Sequence, residues 1–406
     1  MNAPEAINPH ILVWAREAAG LSLEEAAARL GLRTSERSTA AEKLRAFESG
    51  ERAPSPSQIA KAASVYRRPL ITFYLAEPPR QADRVKDFRT TGGNLSSQAE
   101  GLLDSLLRDL RARQQLLRAM LEDEEEAVAL PFVANSDMKQ GAMRTAHEIR
   151  EALGVSVDEQ RTAKGTAGLF KLLRSAAEQI GIFVLLLGDI GSHHSDIGEH
   201  VFRGIALVDD VVPFVIINDN DARPARSFTL MHELAHVWIG ASGVSGPLET
   251  MSVGAVERFC NDVAGEFLLP VDALRQEDVT DDSDFLTILE ETARIASAWN
   301  VSQALVTYRL ARDNRISGQM ASRLFDHFGS RWREQKQRTK ETGDSTGPSY
   351  YVVRRHRLGA ALLTAVQRGL EGEFVTHTTA GKILGVAPYN VSALLRPPPP
   401  RRPRAA

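Results

Sequence analysis

Apolar residues recur at helical spacing along most of the chain. Within the first 75 residues the periodic stretches are short and end at glycine or proline. The stretch "LSLEEAAARLG" opens with a capping box, since Ser22 is followed three residues later by Glu25. The pattern therefore predicts four short helices with brief connections, which together make a compact helical module.

A long amphipathic helix is predicted after a proline-rich connector. The stretch "SSQAEGLLDSLLRDLRARQQLLRAMLEDEEE" places leucines at helical spacing, at positions 102, 103, 106, 107, 110, 116 and 117. Packing of this apolar face against the next domain is the simpler interpretation. Self-association into a homodimer is the alternative.

The pattern changes near residue 141. Helices at 141–153 and 163–179 are followed by "IGIFVLLLGD", "HVFRGIALVDD" and "VPFVIIND", which are rich in β-branched residues and bounded by turn residues. These runs predict strands of a small sheet, and more helices follow them. The fold class expected is mainly α with a small β-sheet, that is α+β. The strand "FRGIAL" is interpreted either as a sheet edge that pairs with an extended substrate or as an ordinary core strand.

These patterns divide the chain into six segments. A polar stretch near the C-terminal end predicts a flexible linker, and a proline- and arginine-rich tail predicts an extended end. The segments are a helical domain (1–75), a connector with the long helix (76–140), an α+β domain (141–332), the linker (333–349), a small helical module (350–396) and the tail (397–406).

Composition narrows the function. The 49 basic and 52 acidic residues give a net charge of −3, so only a local basic face would bind nucleic acid. No apolar run is long enough to span a membrane and no signal peptide is evident, so a cytoplasmic protein is expected. Cys260 is the only cysteine, which excludes an intrachain disulfide. A metal site would therefore be built from histidines and carboxylates.

The stretch "FTLMHELAHVWIG" places polar side chains in an apolar helix. His232 and His236 lie one turn apart on one face, where two imidazoles can bind the same ion. Zinc is the metal expected. Glu233 beside them is placed to accept a proton from a metal-bound water and to relay it to a leaving amine. Two hydrogen-bonded histidines on a core helix would be the structural alternative.

A third ligand is expected on the helix "VERFCNDVAGEFLLP". Glu257 is the preferred ligand, with Asn261 one turn later as a residue that supports it. Glu266 is the alternative, and Cys260 is interpreted as buried rather than as a ligand. Peptide hydrolysis at such a site would also need a hydrogen-bond donor for the tetrahedral oxyanion. The candidates, which the sequence does not rank, are His193, His194, His200, Tyr308 and Arg226.

The motif pair "FTLMHELAHVWIG" and "VERFCNDVAGEFLLP", with the strands "FRGIAL" and "FVIIND", resembles the ImmA/IrrE family of zincin-like metallopeptidases. The resemblance implies that His232, His236 and Glu257 bind zinc and that Glu233 is the catalytic base. It also implies cleavage of a partner transcriptional repressor. The insert "GDIGSHHSDIGEHVF" looks longer than is usual for the family, so its role in the cleft is left open.

The N-terminal domain is similar to the XRE-type helix-turn-helix that often precedes this peptidase. Its second helix, near residues 39–47, would present Lys43 and Arg45 to operator DNA. The segment between the helices is longer than the usual turn, and binding of a protein is the alternative. The C-terminal "HTTAGKILGVAPYNVSALL" is either a second unit of this kind or a helical cap.

Two functions follow. The first is a zinc endopeptidase that cleaves a repressor encoded nearby and carries a DNA-binding head. The second is a transcriptional regulator or antitoxin whose peptidase-like domain acts as a sensor without proteolysis. Glu233 favours the first, because a purely sensory site does not need a base.

Overall fold

A computed structural model describes residues 7–79, 86–87, 96–190, 195–246, 254–277, 279–280, 283–341 and 349–396. His193, His194 and the tail at 397–406 lie outside the described residues. The chain forms two compact units, one of Met1–Arg84, Thr91–Asp109 and Ser192–Ile197, the other of Val85–Thr90, Leu110–Gly191 and Gly198–Ala406. Helices with one small sheet make the fold α+β, as predicted.

The first unit is helical. Its helices are α1 (Pro9–Ala18), α2 (Leu23–Leu30), α3 (Ala40–Glu48) and α4 (Pro56–Val65), followed by a 3-10 helix at Leu70–Tyr74. The predicted capping box at Ser22 and Glu25 is confirmed, and α3 and α4 begin with capping boxes of the same kind. Ile11, Phe47 and Ile59 are among the residues of the apolar core that holds these helices together.

The predicted long helix is α5 (Ser97–Asp123). Its residues up to Asp109 belong to the first unit and the rest to the second. Leu103, Leu106, Leu110 and Leu117 are all buried within the chain. The apolar face of α5 is therefore covered by other side chains of the same chain.

The second unit contains a five-stranded sheet. Its strands are β1 (Lys86–Asp87), β2 (Phe183–Leu186), β3 (Gly204–Leu207), β4 (Phe214–Ile217) and β5 (Gly243–Ser245), in the order β1-β5-β3-β4-β2. β3 is antiparallel to both β4 and β5, and the other two pairings are parallel. The interpretation of β3 as a sheet edge is therefore wrong. β5, too short to be recognised in the sequence, covers that side of β3.

Helices pack around this sheet. They are α6 (Ala142–Leu153), α7 (Val157–Thr162), α8 (Gly165–Gln179), α9 (Arg226–Trp238), α10 (Ala255–Leu268), α11 (Val271–Arg275), α12 (Phe285–Trp299), α13 (Gln303–Arg312) and α14 (Gly318–Glu341), with short 3-10 helices at Met138–Gln140 and Arg223–Ala225. The central helix is α9, which packs against β3, β4, α6, α8 and α10. Among the described helices, none combines the length and apolar character of a membrane span.

The predicted linker at 333–349 is helical over its first part, since α14 continues to Glu341. Residues 342–348 lie outside the described residues. The polarity of residues 333–341 does not make them flexible, because Arg, Glu, Gln and Lys are good helix formers. A tertiary contact also holds this part of α14, because Lys336 Nζ lies 3.1 Å from Glu199 Oε2.

The C-terminal module consists of α15 (Tyr350–Leu358), α16 (Ala360–Glu371), α17 (His377–Leu384) and α18 (Pro388–Leu395). α17 and α18 are joined by a three-residue turn that begins at Gly385, whose φ of 62° is left-handed. α15 packs against β2, at one edge of the sheet. Arg357 fastens this contact, since its guanidinium lies 2.7 Å from both Asp189 and Asp219.

Candidate metal centre

Helix α9 carries the histidine pair in a fully apolar setting. After β4 ends at Ile217, a loop that contains the 3-10 helix at Arg223–Ala225 leads into α9, which is buried among strands and helices. His232 and His236 are 4 % and 0 % exposed, and Glu233 is 0 % exposed. Three polar side chains at this depth need partners or a ligand, because an unpaired buried polar group is costly.

The imidazole pair meets a carboxylate from a second helix. His232 Nε2 lies 3.2 Å from His236 Nε2, and the Glu257 carboxylate on α10 lies 3.2 Å and 2.9 Å from these two atoms. Zinc bonds of about 2.0–2.1 Å in tetrahedral geometry imply donor separations of about 3.3 Å. The three donors therefore fit a zinc-sized ion, and a His₂Glu set leaves a fourth position open.

The three donor side chains shift one another's pKa values. Burial lowers the pKa of His232, but the Glu257 carboxylate outweighs burial and raises that pKa to about 8. Burial lowers the pKa of His236. Burial would raise the pKa of Glu257, yet the two imidazoles hold it at about 2. Glu257 is therefore ionised at neutral pH, as a metal ligand must be.

Glu257 forms ion pairs with both histidines, whereas no such pair with either imidazole is seen, in the described part of the chain, for Glu233, the second carboxylate of the site. Neither of its carboxylate oxygens has a well-aligned hydrogen-bonding partner among the described residues. Burial raises its pKa to about 8, although His232 and the nearby Ser245 hydroxyl pull it down. A carboxyl with a pKa of about 8 is mostly protonated at pH 7 when the donors hold no cation, and a bound divalent cation would favour its ionised form.

Gly204 on β3 makes room for Glu233. A Cβ atom on Gly204 would lie only 2.1 Å from Glu233 Oε1 and 2.6 Å from its Cδ. The strand cannot retreat, because Gly204 is paired with Ile217 on β4 and with Ser245 on β5. Because residue 204 has no side chain, the Glu233 carboxylate can occupy the space beside β3.

A cleft opens onto the site from the solvent. Its walls come from α9, from the ends of β3 and β5, and from α10 and α13. The lining residues are Arg203, Ala225, Phe228, Thr229, His232, Glu233, Ser245, Gly246, Asn261, Ser302 and Ala304. Asn261, expected to support a ligand, lies beside His232 and helps to raise its pKa.

The structure places the other ligand candidates elsewhere. Glu266 lies on α10 with Glu257, but its carboxylate is 2.5 Å from Arg309 Nη2 and also faces the backbone N–H of Val271. Cys260 is buried in the apolar core, where burial raises its pKa well above the ordinary value. Neither side chain joins the cluster of donors.

The oxyanion candidates that are described do not line the cleft. The Tyr308 hydroxyl donates to Asp262 Oδ1 at 2.9 Å, and Arg226 donates to the carbonyl of Asp219 at 2.9 Å. His200 is exposed. The polar lining residues that the sequence did not indicate are Arg203, Thr229, Ser245 and Ser302. No local signal could have found Ser245, because β5 has only three residues.

In the first unit, α2 and α3 cover the two stretches for which the sequence predicts helices. Lys43 Nζ donates to the carbonyl of Arg33 at 2.7 Å, within the long segment that joins these helices. Arg45 is exposed on α3. Of the two basic side chains, Arg45 is thus the more accessible to a partner.

The site combines two imidazoles from one helix with a carboxylate from a second helix, an arrangement that could hold a metal ion. Residues 177–311 match a family model described as the IrrE N-terminal-like domain, of the Peptidase M78 family. The matched segment contains the histidine pair, Glu233 and Glu257, and it supports the resemblance to ImmA/IrrE peptidases. Helices α1 to α4 lie outside it. No curated protein and no solved structure matched the chain.

Proposed function

We propose that this protein is a zinc-dependent endopeptidase of the ImmA/IrrE type. One observation carries the proposal. The donors His232, His236 and Glu257 converge on one point, and His232 lines a cleft together with the buried carboxylate of Glu233. A site that only stored or sensed a metal would have no use for a buried carboxylate without a partner of its own.

Each residue has a separate task in this proposal. His232, His236 and Glu257 hold the ion. Zinc supplies Lewis acidity, which acidifies a water molecule and polarises the carbonyl of the peptide bond to be cut. Glu233 takes the proton from that water on a carboxylate oxygen and passes it to the departing amine. Gly204 keeps the carboxylate at the place where this transfer occurs.

The substrate proposed is a transcriptional repressor encoded near this chain, as the family resemblance implies. The first unit would bring the peptidase to operator DNA through α3, with Arg45 as the residue that meets phosphates or bases. An electrophoretic mobility assay checks this role. If Arg45→Ala and wild type bind operator DNA equally well, α3 does not read DNA, and a protein-binding role for the first unit takes its place. We also propose that two copies of this chain associate as a homodimer.

The decisive comparison is wild type against Glu233→Gln. The amide removes the base but touches none of the three donors, so the variant is expected to bind zinc like wild type and to cleave at least about 10²-fold more slowly. Both proteins are loaded with zinc, and metal content is measured by mass spectrometry. They are then incubated with the products of neighbouring genes, and cleavage is read from the fragments.

The result also separates the two candidate functions. Proteolysis by wild type and not by Glu233→Gln supports the peptidase. If neither protein cuts any substrate while both bind metal and operator DNA, the chain is a regulator or antitoxin with a sensory metal site. Loss of metal in His232→Ala or His236→Ala is expected under either function, and therefore serves as the control for site integrity.

A further inference from the structure

Ser245 is a buried residue of the cleft to which the roles above assign nothing. Its side chain is 3 % exposed, and its hydroxyl oxygen lies 3.1 Å from His232 Nε2. That separation matches those between the three donor atoms themselves, which are 2.9–3.2 Å. Ser245 Oγ is therefore a neighbour of the site that a metal ion would occupy.

The backbone holds Ser245 in this place. On β5, Ser245 is in register with Gly204, the residue that contacts the Glu233 carboxylate. Its carbonyl accepts a hydrogen bond from the backbone N–H of Arg203 at 3.0 Å. The hydroxyl thus lies between a metal-binding histidine and the proposed base, and all three side chains line the same cleft.

The hydroxyl cannot keep its present partner once a metal is bound. Among the described residues, the well-aligned partner of Ser245 Oγ is His232 Nε2, the atom that would then bind the ion. A buried hydroxyl that loses its hydrogen bond destabilises the site unless a new partner enters. A neutral serine is not among the usual zinc ligands. The partners then within reach are the Glu233 carboxylate, whose pKa this hydroxyl already lowers, and an oxygen that arrives beside the ion.

We propose that Ser245 is a catalytic residue whose hydroxyl borders the open coordination position and hydrogen-bonds the oxygen that enters there. This oxygen belongs either to the attacking water or to the peptide carbonyl as it gains negative charge. The inference rests on the proposed peptidase function, and it adds a donor of the kind that stabilises an oxyanion.

The kinetic test compares Ser245→Ala with Ser242→Ala. Ser242 precedes β5, and its hydroxyl accepts a hydrogen bond from the backbone N–H of Val208, away from the metal donors. Removal of one donor to an oxyanion lowers kcat by about 10²–10³-fold. Ser245→Ala is expected to show this loss with unchanged zinc content and KM, while Ser242→Ala keeps the wild-type kcat. Wild-type kcat in Ser245→Ala overturns the proposal.

A spectroscopic test does not depend on cleavage. Ser245→Cys places a thiol where the hydroxyl lies, and thiolates are strong ligands of divalent metals. After loading with Co²⁺, this variant is expected to show a thiolate-to-cobalt charge-transfer band that wild type and Ser242→Cys lack. Cys260 is present in all three proteins and cancels in the comparison. Absence of the band means that residue 245 does not reach the ion, and it overturns the proposal.

The two tests distinguish failure of the proposed peptidase function from failure of the role proposed for Ser245. If wild type cleaves nothing, the proposed function falls, yet the cobalt band still decides whether residue 245 borders the metal. If wild type is active and the band is absent, the function stands and the role of Ser245 falls. A phosphonamidate peptide, which mimics the tetrahedral oxyanion, identifies the oxygen. About 10-fold or greater weakening of its binding by Ser245→Ala assigns the carbonyl oxygen, and unchanged binding assigns the water.

Discussion

Replacement of Gly204 by alanine tests whether the exact position of the Glu233 carboxylate limits the reaction. The new Cβ would lie 2.1 Å from Glu233 Oε1, whereas ordinary contacts begin at 3.4 Å, so the oxygen must withdraw by about 1.3 Å. Glu233 is fully buried, and β3 is paired on both sides. The side chain must therefore rotate away from the position that the base needs.

A displacement of about 1 Å can cost 10²-fold in rate, so kcat/KM for a cleaved peptide is expected to fall by about that factor. The three metal donors do not touch residue 204, and zinc content should stay at the wild-type value. Crowding should also lower the free energy of unfolding by about 1–3 kcal/mol, measured by urea denaturation.

The control is Gly168→Ala on α8, where the new Cβ would lie 3.4 Å from its nearest neighbour. This change should leave activity alone and stabilise the helix slightly. Wild-type kcat/KM in Gly204→Ala would refute the argument that Gly204 positions the base. Loss of zinc in that variant would refute it as well, because the damage would then lie in the donors.

Two further predictions concern the metal donors. Zinc affinity should fall about tenfold per pH unit as pH drops below 8, because the His232 pKa of about 8 means that a proton must leave before the ion binds. Glu257, with a pKa of about 2, and His236, whose pKa is lowered, add no dependence above pH 6.5. Competition with a chromophoric chelator measures this, and a flat profile between pH 6.5 and 8 contradicts it. Glu257→Gln should abolish zinc binding, whereas Glu266→Gln should retain zinc but lose about 3 kcal/mol of unfolding free energy, because it leaves Arg309 without its buried partner. Metal analysis and urea denaturation distinguish the two variants, and the reverse pattern would make Glu266 the ligand.

The local parts of this molecule follow from its sequence. Helical spacing and the Ser22 capping box predict α2 without any knowledge of its neighbours. The interval of four residues between His232 and His236 places two imidazoles on one face of α9, since that spacing is a property of any helix. Helical spacing also predicts that Glu266 faces away from Glu257, although both lie on α10. In the structure, α10 brings Glu257 to the histidines.

The parts that sequence could not supply depend on contacts between distant segments. Ser245 lies on a strand of three residues, which has no periodicity to detect, and only its register with Gly204 brings it to the site. From sequence alone, Gly204 is expected only to weaken its strand. The structure shows that a side chain at this position would collide with Glu233. The helical residues at 333–341 have the composition of a linker, and Lys336 is held by Glu199, far away in sequence.

The contact of α15 with β2 decides how this protein can be divided for expression. A fragment ending at residue 332, the limit that sequence patterns suggest for the α+β domain, would bare one edge of the sheet. It would also leave Asp189 and Asp219 without Arg357, close to the loop that leads into α9. Exposed strand edges promote aggregation. Any recombinant version intended for enzymology should therefore extend at least through Leu395, the end of α18.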